Sequence, residues 1–271
     1  MRPRTGVTLV IPAWNEAEAI GPVLDEVPPG VVDEVVVVVG GEDDPTAEVA
    51  RRHGARVVAQ AEPGYGAACW TGARAAMAAN ARVVAFLDGD YADPPAALPR
   101  LLAPIAAGRA DLVLGRRDLR RYPAALPLHA RLGNRLVLLL LRVLVRSRSF
   151  GDLPSFKAIR ADALRRLDLR EMTYGWTVEL LIKAARLRLR IEEVEVEYRP
   201  RLGGRSKVAG SLRGSVAAGW TLLACALGSA LPRPLGRALS RGEGAVSSAD
   251  VRAPTPPSPA LRAASPRGRG K

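Results

Sequence analysis

Two aspartates flank a glycine at Asp88-Gly89-Asp90, directly after the apolar run Val83-Val84-Ala85-Phe86-Leu87 and ahead of Tyr91-Ala92-Asp93-Pro94-Pro95. The pattern reads as a buried strand ending in a pair of carboxylates. Hard oxygen donors at a strand's carboxyl end suit Mg²⁺ or Mn²⁺ carrying phosphates, and that edge is where open α/β sheets bind ligands. The other reading is an Asp-Gly surface turn with a solvated acid on each side.

The elements that must position this turn are legible as alternating strands and helices. Val7 to Ile11 forms a strand that Pro12 stops, leaving Pro12-Ala13-Trp14-Asn15-Glu16 at the rim before a helical stretch from Ala17 to Val27. Glu34 to Val39 is a second strand, emptying into Gly40-Gly41-Glu42-Asp43-Asp44-Pro45-Thr46 before a helix from Ala47 to His53 that Gly54 can cap. Arg56 to Ala59 precedes Gly64-Tyr65-Gly66 and a helix through Asn80. Continuous Val, Ile and Leu runs are the mark of strands buried on both faces, and the alternation gives a mostly parallel sheet with helices on each side. Farther on, Tyr174 to Leu187 carries apolar residues at helical spacing with Glu179 reading as an exposed helix carboxylate, and Ile191 to Tyr198 alternates into Arg199-Pro200-Arg201.

Composition narrows the function classes. The chain has 271 residues and a net charge of +13, of which residues 233–271 supply +6 from eight basic residues against two acids. The remaining excess gathers in Arg116-Arg117, Arg120-Arg121, Arg142 to Arg148 and Arg199 to Lys207. Such clusters suit phosphate-bearing ligands or an anionic membrane surface at least as well as a polynucleotide. At 4% aromatic residues the chain has few platforms for stacking bases, so no nucleic-acid partner is expected. Cys69 and Cys225 sit in apolar helical settings without zinc spacing and read as packing residues of a reducing compartment. No signal peptide is read in the first residues, which points to a cytoplasmic protein.

Two segments bear on membrane contact. Arg131 to Leu144 is apolar with cationic ends and interruptions, an interfacial rather than spanning pattern. Gly214 to Leu231 has 18 residues without a charge, at the lower edge of spanning length, and reads as monotopic. The tail after Pro232, rich in Pro, Arg, Ser and Ala, cannot bury enough apolar surface to fold alone.

Taken in order, Pro12-Ala13-Trp14-Asn15-Glu16, Gly64-Tyr65-Gly66-Ala67-Ala68, Asp88-Gly89-Asp90 and Arg201-Leu202-Gly203-Gly204-Arg205-Ser206-Lys207 resemble the family 2 glycosyltransferases. Within them the chain is most similar to the branch of dolichyl-phosphate mannose and polyprenyl-phosphate glucose synthases. The resemblance implies a GT-A fold over residues 1–231, with a nucleotide-sugar half to about residue 110, an acceptor half from 111 to 231, and a separate tail at 232–271. It implies an inverting, metal-dependent transfer of a hexose from a UDP- or GDP-sugar to a polyprenyl phosphate at the inner face of a membrane. Asp88 and Asp90 become the expected metal ligands, with Asp90 the stronger and Asp88 also placed to reach the ribose. Pro12, Asn15, Glu16, Gly64, Gly66, Asp44, Arg201 and Lys207 are the expected donor-binding residues.

The chain departs from the family at two places. Where relatives carry an acidic pair at the end of the second strand read here, this chain has Val39-Gly40-Gly41, so either Asp43 or Asp44 reaches the base or selectivity rests on other contacts. Where the dolichyl-phosphate enzymes have a Gln after the acidic turn, this chain has Ala92, and Asp93 either substitutes or caps the next helix. In the acceptor half, Asp111 to Arg117 is a strand that delivers cations to the same rim, and Gly151-Asp152-Leu153-Pro154-Ser155-Phe156-Lys157-Ala158-Ile159-Arg160 resembles the acceptor-side motif. A lipid phosphate is already an anion and needs no general base; Arg117, Arg201, Arg205 and Lys207 would then align two repelling reactants. A hydroxyl acceptor, soluble or glycan, requires a carboxylate base, for which Asp152 is the leading residue.

Overall fold

A computed structural model describes residues 5–41, 43–145 and 150–202. In chain order the elements are β1 (Val7–Pro12), α1 (Ala17–Asp25), β2 (Glu34–Val39), α2 (Pro45–Arg52), β3 (Arg56–Ala59), α3 (Tyr65–Ala78) and β4 (Val83–Phe86). After these come α4 (Leu98–Ala106), β5 (Leu112–Asp118), α5 (Leu128–Val145), β6 (Lys157–Arg160), α6 (Ala161–Arg166), α7 (Trp176–Arg186) and β7 (Ile191–Glu197). Lys207, Arg205, Cys225, the segment 214–231 and the tail lie outside the described residues.

The seven strands form one sheet in the order β3-β2-β1-β4-β6-β5-β7. β1 pairs in parallel with both β2 and β4, and β5 pairs in parallel with β7. β6 runs antiparallel to β4 and β5. The sequence pattern gives the parallel strands but not β6, whose four residues Lys157-Ala158-Ile159-Arg160 begin and end on a cation. It is a strand because the sheet supplies neighbours on both sides.

Successive residues of each central strand enter opposite cores, which is why the runs are apolar without alternation. Val10, Val36, Val38, Val84 and Phe86 pack under α3, α5, α6 and α7, whereas Leu9, Ile11, Val37, Ala85 and Leu87 pack under α1, α2 and α4. Cys69 is buried in the first of these cores, as a packing residue should be. Phe86 meets Trp176 edge-on at 5.1 Å between ring centres, a contact that ties α7 to the acidic strand.

Glu179 departs from expectation. Far from being exposed, it is buried at 5%. Its Oε2 accepts from the backbone N–H groups of Arg170 and Glu171 at 2.8 and 2.7 Å, and its Oε1 pairs with Lys183 at 2.7 Å. Helical periodicity placed it off the apolar stripe, but the loop at 170–173 folds over that face and needs an acceptor.

In an order that runs outward from β1 to β2 on one side and β4 on the other, the chain reverses direction of growth between β1 and β4. Ligands of open α/β sheets bind outside the carboxyl ends of the strands at such a point.

Candidate active site

A cavity of about 380 Å³ opens at that switch point. Pro12, Trp14 and Glu16 from the end of β1, Gly40 from the end of β2, Gln60 after β3, Gly64 and Tyr65 at the start of α3, Asp88 and Asp90 after β4, and Arg201 all line it. The sequence motifs thus converge although they lie far apart along the chain. A larger cavity of about 570 Å³ lies at the opposite edge, around Val7, Val83, Arg160 and Arg165, and includes none of the motif residues.

The acidic turn is held from three directions. Asp90 is buried; its Oδ1 accepts from Ala92 N at 3.0 Å and its Oδ2 pairs with Arg201 Nη1 at 2.8 Å. The chain leaving β7 runs beside the turn, with Arg199 N donating to Ala92 O at 2.8 Å and Leu202 N to Asp90 O at 3.2 Å. Between the acids and this strand, Tyr91 adopts a left-handed backbone with φ 71°, uncommon for a bulky residue. A clamp fixes it there: the Tyr91 hydroxyl donates to Glu26, and Arg199 Nη1 reaches both Glu26 oxygens at 3.0 Å while its guanidinium lies 5.3 Å over the Tyr91 ring.

Asp88 has a buried Oδ1 with no hydrogen-bond partner among the described residues. Burial, and then the neighbouring Asp90 charge, push its carboxyl up to about 6. A buried carboxylate pair with one orphaned oxygen fits a cation that arrives with its own phosphate oxygens and water. Among the described residues no three His, Cys, Asp or Glu side chains converge as a closed metal cluster. Mg²⁺ and Mn²⁺ sites that share a nucleotide take few protein ligands, so the two carboxylates suffice as the protein's part.

Lys157, missed as a site residue, is wholly buried behind Asp88. Its Nζ donates to Thr177 Oγ1 at 2.9 Å and lies 5.1 Å over the Trp176 ring, and burial lowers its ammonium to about 8. Its charge acts on Asp88 and pulls that carboxyl down, against the larger upward pushes of burial and Asp90. Asp93, also buried, accepts from Ser155 Oγ at 2.6 Å; burial raises its carboxyl to about 7. It neither caps the following turn, whose preceding residue is Pro94, nor lines the cavity.

Several expected donor contacts resolve differently. Asp44 is not among the cavity-lining residues: its carboxylate caps α2, Oδ1 accepting from Thr46 N at 2.9 Å, while Asn15 N donates to Oδ2 at 3.1 Å. Asn15 therefore fixes the loop after β1 through its own backbone, at φ 54°, and is not among the cavity-lining residues. Gly66 is not among the cavity-lining residues either. A Cβ there would stand 2.6 Å from Glu171 O, and Gly66 N and Ala67 N donate to Thr173 O and Met172 O at 3.2 and 2.9 Å. The N–H groups that begin α3, otherwise a natural anion site, are thus engaged by the loop that Glu179 anchors. Gly64, at φ 140°, serves the same close approach while one side of it still faces the cavity.

On the acceptor side, Arg117 and Asp152 are joined rather than independent. Arg117 Nε donates to Asp152 Oδ2 at 2.7 Å, and Arg117 N donates to the same oxygen at 3.1 Å. Burial pushes the Asp152 carboxyl up, but the bonds and charge of Arg117 outweigh it and hold the carboxyl below its ordinary range. So paired, Asp152 is a weak base and a firm anchor for a guanidinium. Arg117 also lies 5.4 Å over the Tyr198 ring.

Comparison with known proteins fits this geometry. The family model for glycosyl transferase family 2 matches residues 8–168, which span β1 through α6 and include the acidic turn. The chain belongs to glycosyl transferase family 2. An uncharacterised glycosyltransferase of Mycobacterium tuberculosis is 41% identical over 78% of this chain and 94% of its own length. The dolichyl-phosphate hexose transferase of Haloferax volcanii is 34% identical over 73% of this chain and 84% of its own. Among solved structures, glucosyl-3-phosphoglycerate synthase from Mycobacterium tuberculosis in complex with Mn²⁺, UDP-glucose and phosphoglyceric acid superposes with a TM-score of 0.67 at 26% identity, covering 84% of this chain and 81% of that one. This family 2 glycosyltransferase has the fold of those GT-A enzymes, a mostly parallel sheet flanked by helices.

Proposed function

We propose that this glycosyltransferase moves a hexose from a nucleotide sugar to the phosphate of a polyprenyl carrier at the inner face of a membrane, with inversion at the anomeric carbon. A divalent cation held by Asp88 and Asp90 would neutralise the charge that develops on the departing diphosphate. Arg201, within reach of that turn, would supply a second positive charge to the same oxygens, and Arg117, held by Asp152, would add positive charge from the acceptor half.

The observation that carries the choice of acceptor is the outer face of α5. Leu128, Leu132, Leu136, Leu139 and Val143 follow one another at helical spacing and are each 55 to 70% exposed, while Val137, Leu138 and Leu141 face the core. Arg135 and Arg142 are exposed on the same helix. An exposed leucine stripe beside cations is the pattern of a helix lying in an anionic lipid surface. Among the described residues no helix is long and apolar enough to cross a membrane. Asp152 points the same way: a phosphate nucleophile needs no base, and Arg117 leaves Asp152 poorly suited to be one.

The similarity to an enzyme solved with phosphoglyceric acid favours a second reading, a soluble phosphorylated acceptor on the same site. The two separate in one experiment. The full chain is incubated with Mn²⁺ and labelled UDP- or GDP-hexose, with either polyprenyl phosphate in anionic vesicles or phosphoglycerate in solution. Label recovered in lipid supports the proposal; label in phosphoglycerate alone overturns it in favour of the second reading.

A further inference from the structure

We propose that Gln60 reads the base of the donor nucleotide and that the base is uracil, an inference that rests on the nucleotide-sugar reading of the cavity. The end of β2 offers no side chain for this task, because Gly40 and Gly41 stand there. Asp44 is occupied by Asn15 N and Thr46 N, and Asp43 is exposed and not among the cavity-lining residues. Gln60 is the polar residue left at this rim by the neighbouring strand. Its backbone N–H donates to Val39 O at 3.0 Å, which fixes the side chain's root just beyond the end of the β2–β3 pair.

The side chain lines the cavity, yet its Oε1 is buried and has no hydrogen-bond partner among the described residues. A buried amide oxygen left unpaired costs free energy unless a ligand supplies the donor. Uracil presents an N3–H beside a carbonyl, so one planar carboxamide satisfies it twice: Oε1 accepts from N3–H and the amide N–H₂ donates to the adjacent carbonyl. A flat surface for the ring stands nearby. Trp14 lines the same cavity at 58% exposure and lies against Gly40 so closely that a Cβ there would meet its Cδ1 at 3.1 Å. Glycine at position 40 thereby keeps the indole in place, and the base can stack on it while Gln60 engages its edge.

The test is calorimetric binding of UDP and GDP, each with Mn²⁺, to the full-length protein and to its Gln60→Ala and Gln60→Glu variants. Wild type should prefer UDP. Gln60→Ala should weaken UDP by about tenfold, the loss of one bidentate contact. Gln60→Glu should weaken UDP at least as much, since a carboxylate repels the uracil carbonyl, and should improve GDP relative to UDP, since guanine offers two adjacent donors. UDP binding unchanged in both variants, or a wild-type preference for GDP, would overturn the inference while leaving the glycosyltransferase site intact. Failure of wild type to bind either nucleotide would instead overturn the nucleotide-sugar reading, and the inference with it.

Discussion

Arg201 and the cation proposed at the acidic turn would compete for the same oxygens. With its Nη1 2.8 Å from Asp90 Oδ2, Arg201 neutralises the acidic turn and must give way when a cation enters. Arg201→Gln should therefore strengthen Mn²⁺ binding to nucleotide-free protein, yet slow transfer by about ten- to a hundredfold through loss of a charge-assisted contact to phosphate. Titration with Mn²⁺ followed by its spin-resonance signal checks the first half; weaker metal binding in the variant would contradict it. Asp93 gives a second prediction. Its carboxyl titrates near 3.8 when free and about 7 in the fold. Between those values the folded chain holds a proton that the unfolded chain releases, so stability falls as pH rises from about 4 to about 7. Asp93→Asn keeps an acceptor for Ser155 and removes the buried charge. It should stabilise the chelator-treated protein at pH 8 by on the order of 1 to 3 kcal/mol and change little at pH 4. Equal melting shifts at both pH values would contradict the assignment.

At the scale of elements, α3 is set by the loop it touches. Because Gly66 leaves no room for a Cβ against Glu171 O and Met172, Gly66→Ala must push backbone apart and should cost about 1 to 3 kcal/mol. Thermal unfolding at the wild-type midpoint would show that the loop yields freely. For α5, Leu136→Glu with Leu139→Glu should reduce binding to anionic vesicles about tenfold or more without loss of the folded core, because both side chains face outward. Co-sedimentation checks this, and unchanged partitioning would remove α5 from the membrane contact. These two elements also show what a sequence exposes. The strands β1, β2 and β4 were legible because burial on both faces leaves unbroken apolar runs, and the runs of β1 and β4 end in polar residues that line the cavity. Polar residues whose partners come from distant chain were not. Glu179, Asp93 and Lys157 have ordinary surface types, and only the loop at 170–173, Ser155 and Thr177 reveal why they are inside. Asp44 and Gly66 lie within recognisable motifs, but the motif does not say whether a backbone contact is made to ligand or to protein.

For the whole molecule, one sheet gathers the end of β1, the ends of β2 and β3, the acidic turn after β4 and the strand leaving β7 around one cavity. Arg201 and the carboxylates of Asp88 and Asp90 meet there, an arrangement suited to joining two anionic reactants that repel each other in water. Every part of this reading depends on Asp90, whose replacement by Asn removes a metal charge while retaining shape. The most direct measurement is the initial rate of labelled hexose transfer from its nucleotide to polyprenyl phosphate in anionic vesicles, titrated with Mn²⁺, for wild type and Asp90→Asn. The expected result is Mn²⁺-dependent transfer by wild type and a loss of about two decades or more in Asp90→Asn, with the folded state retained by circular dichroism. Transfer by Asp90→Asn at the wild-type rate and with the same metal dependence would contradict it.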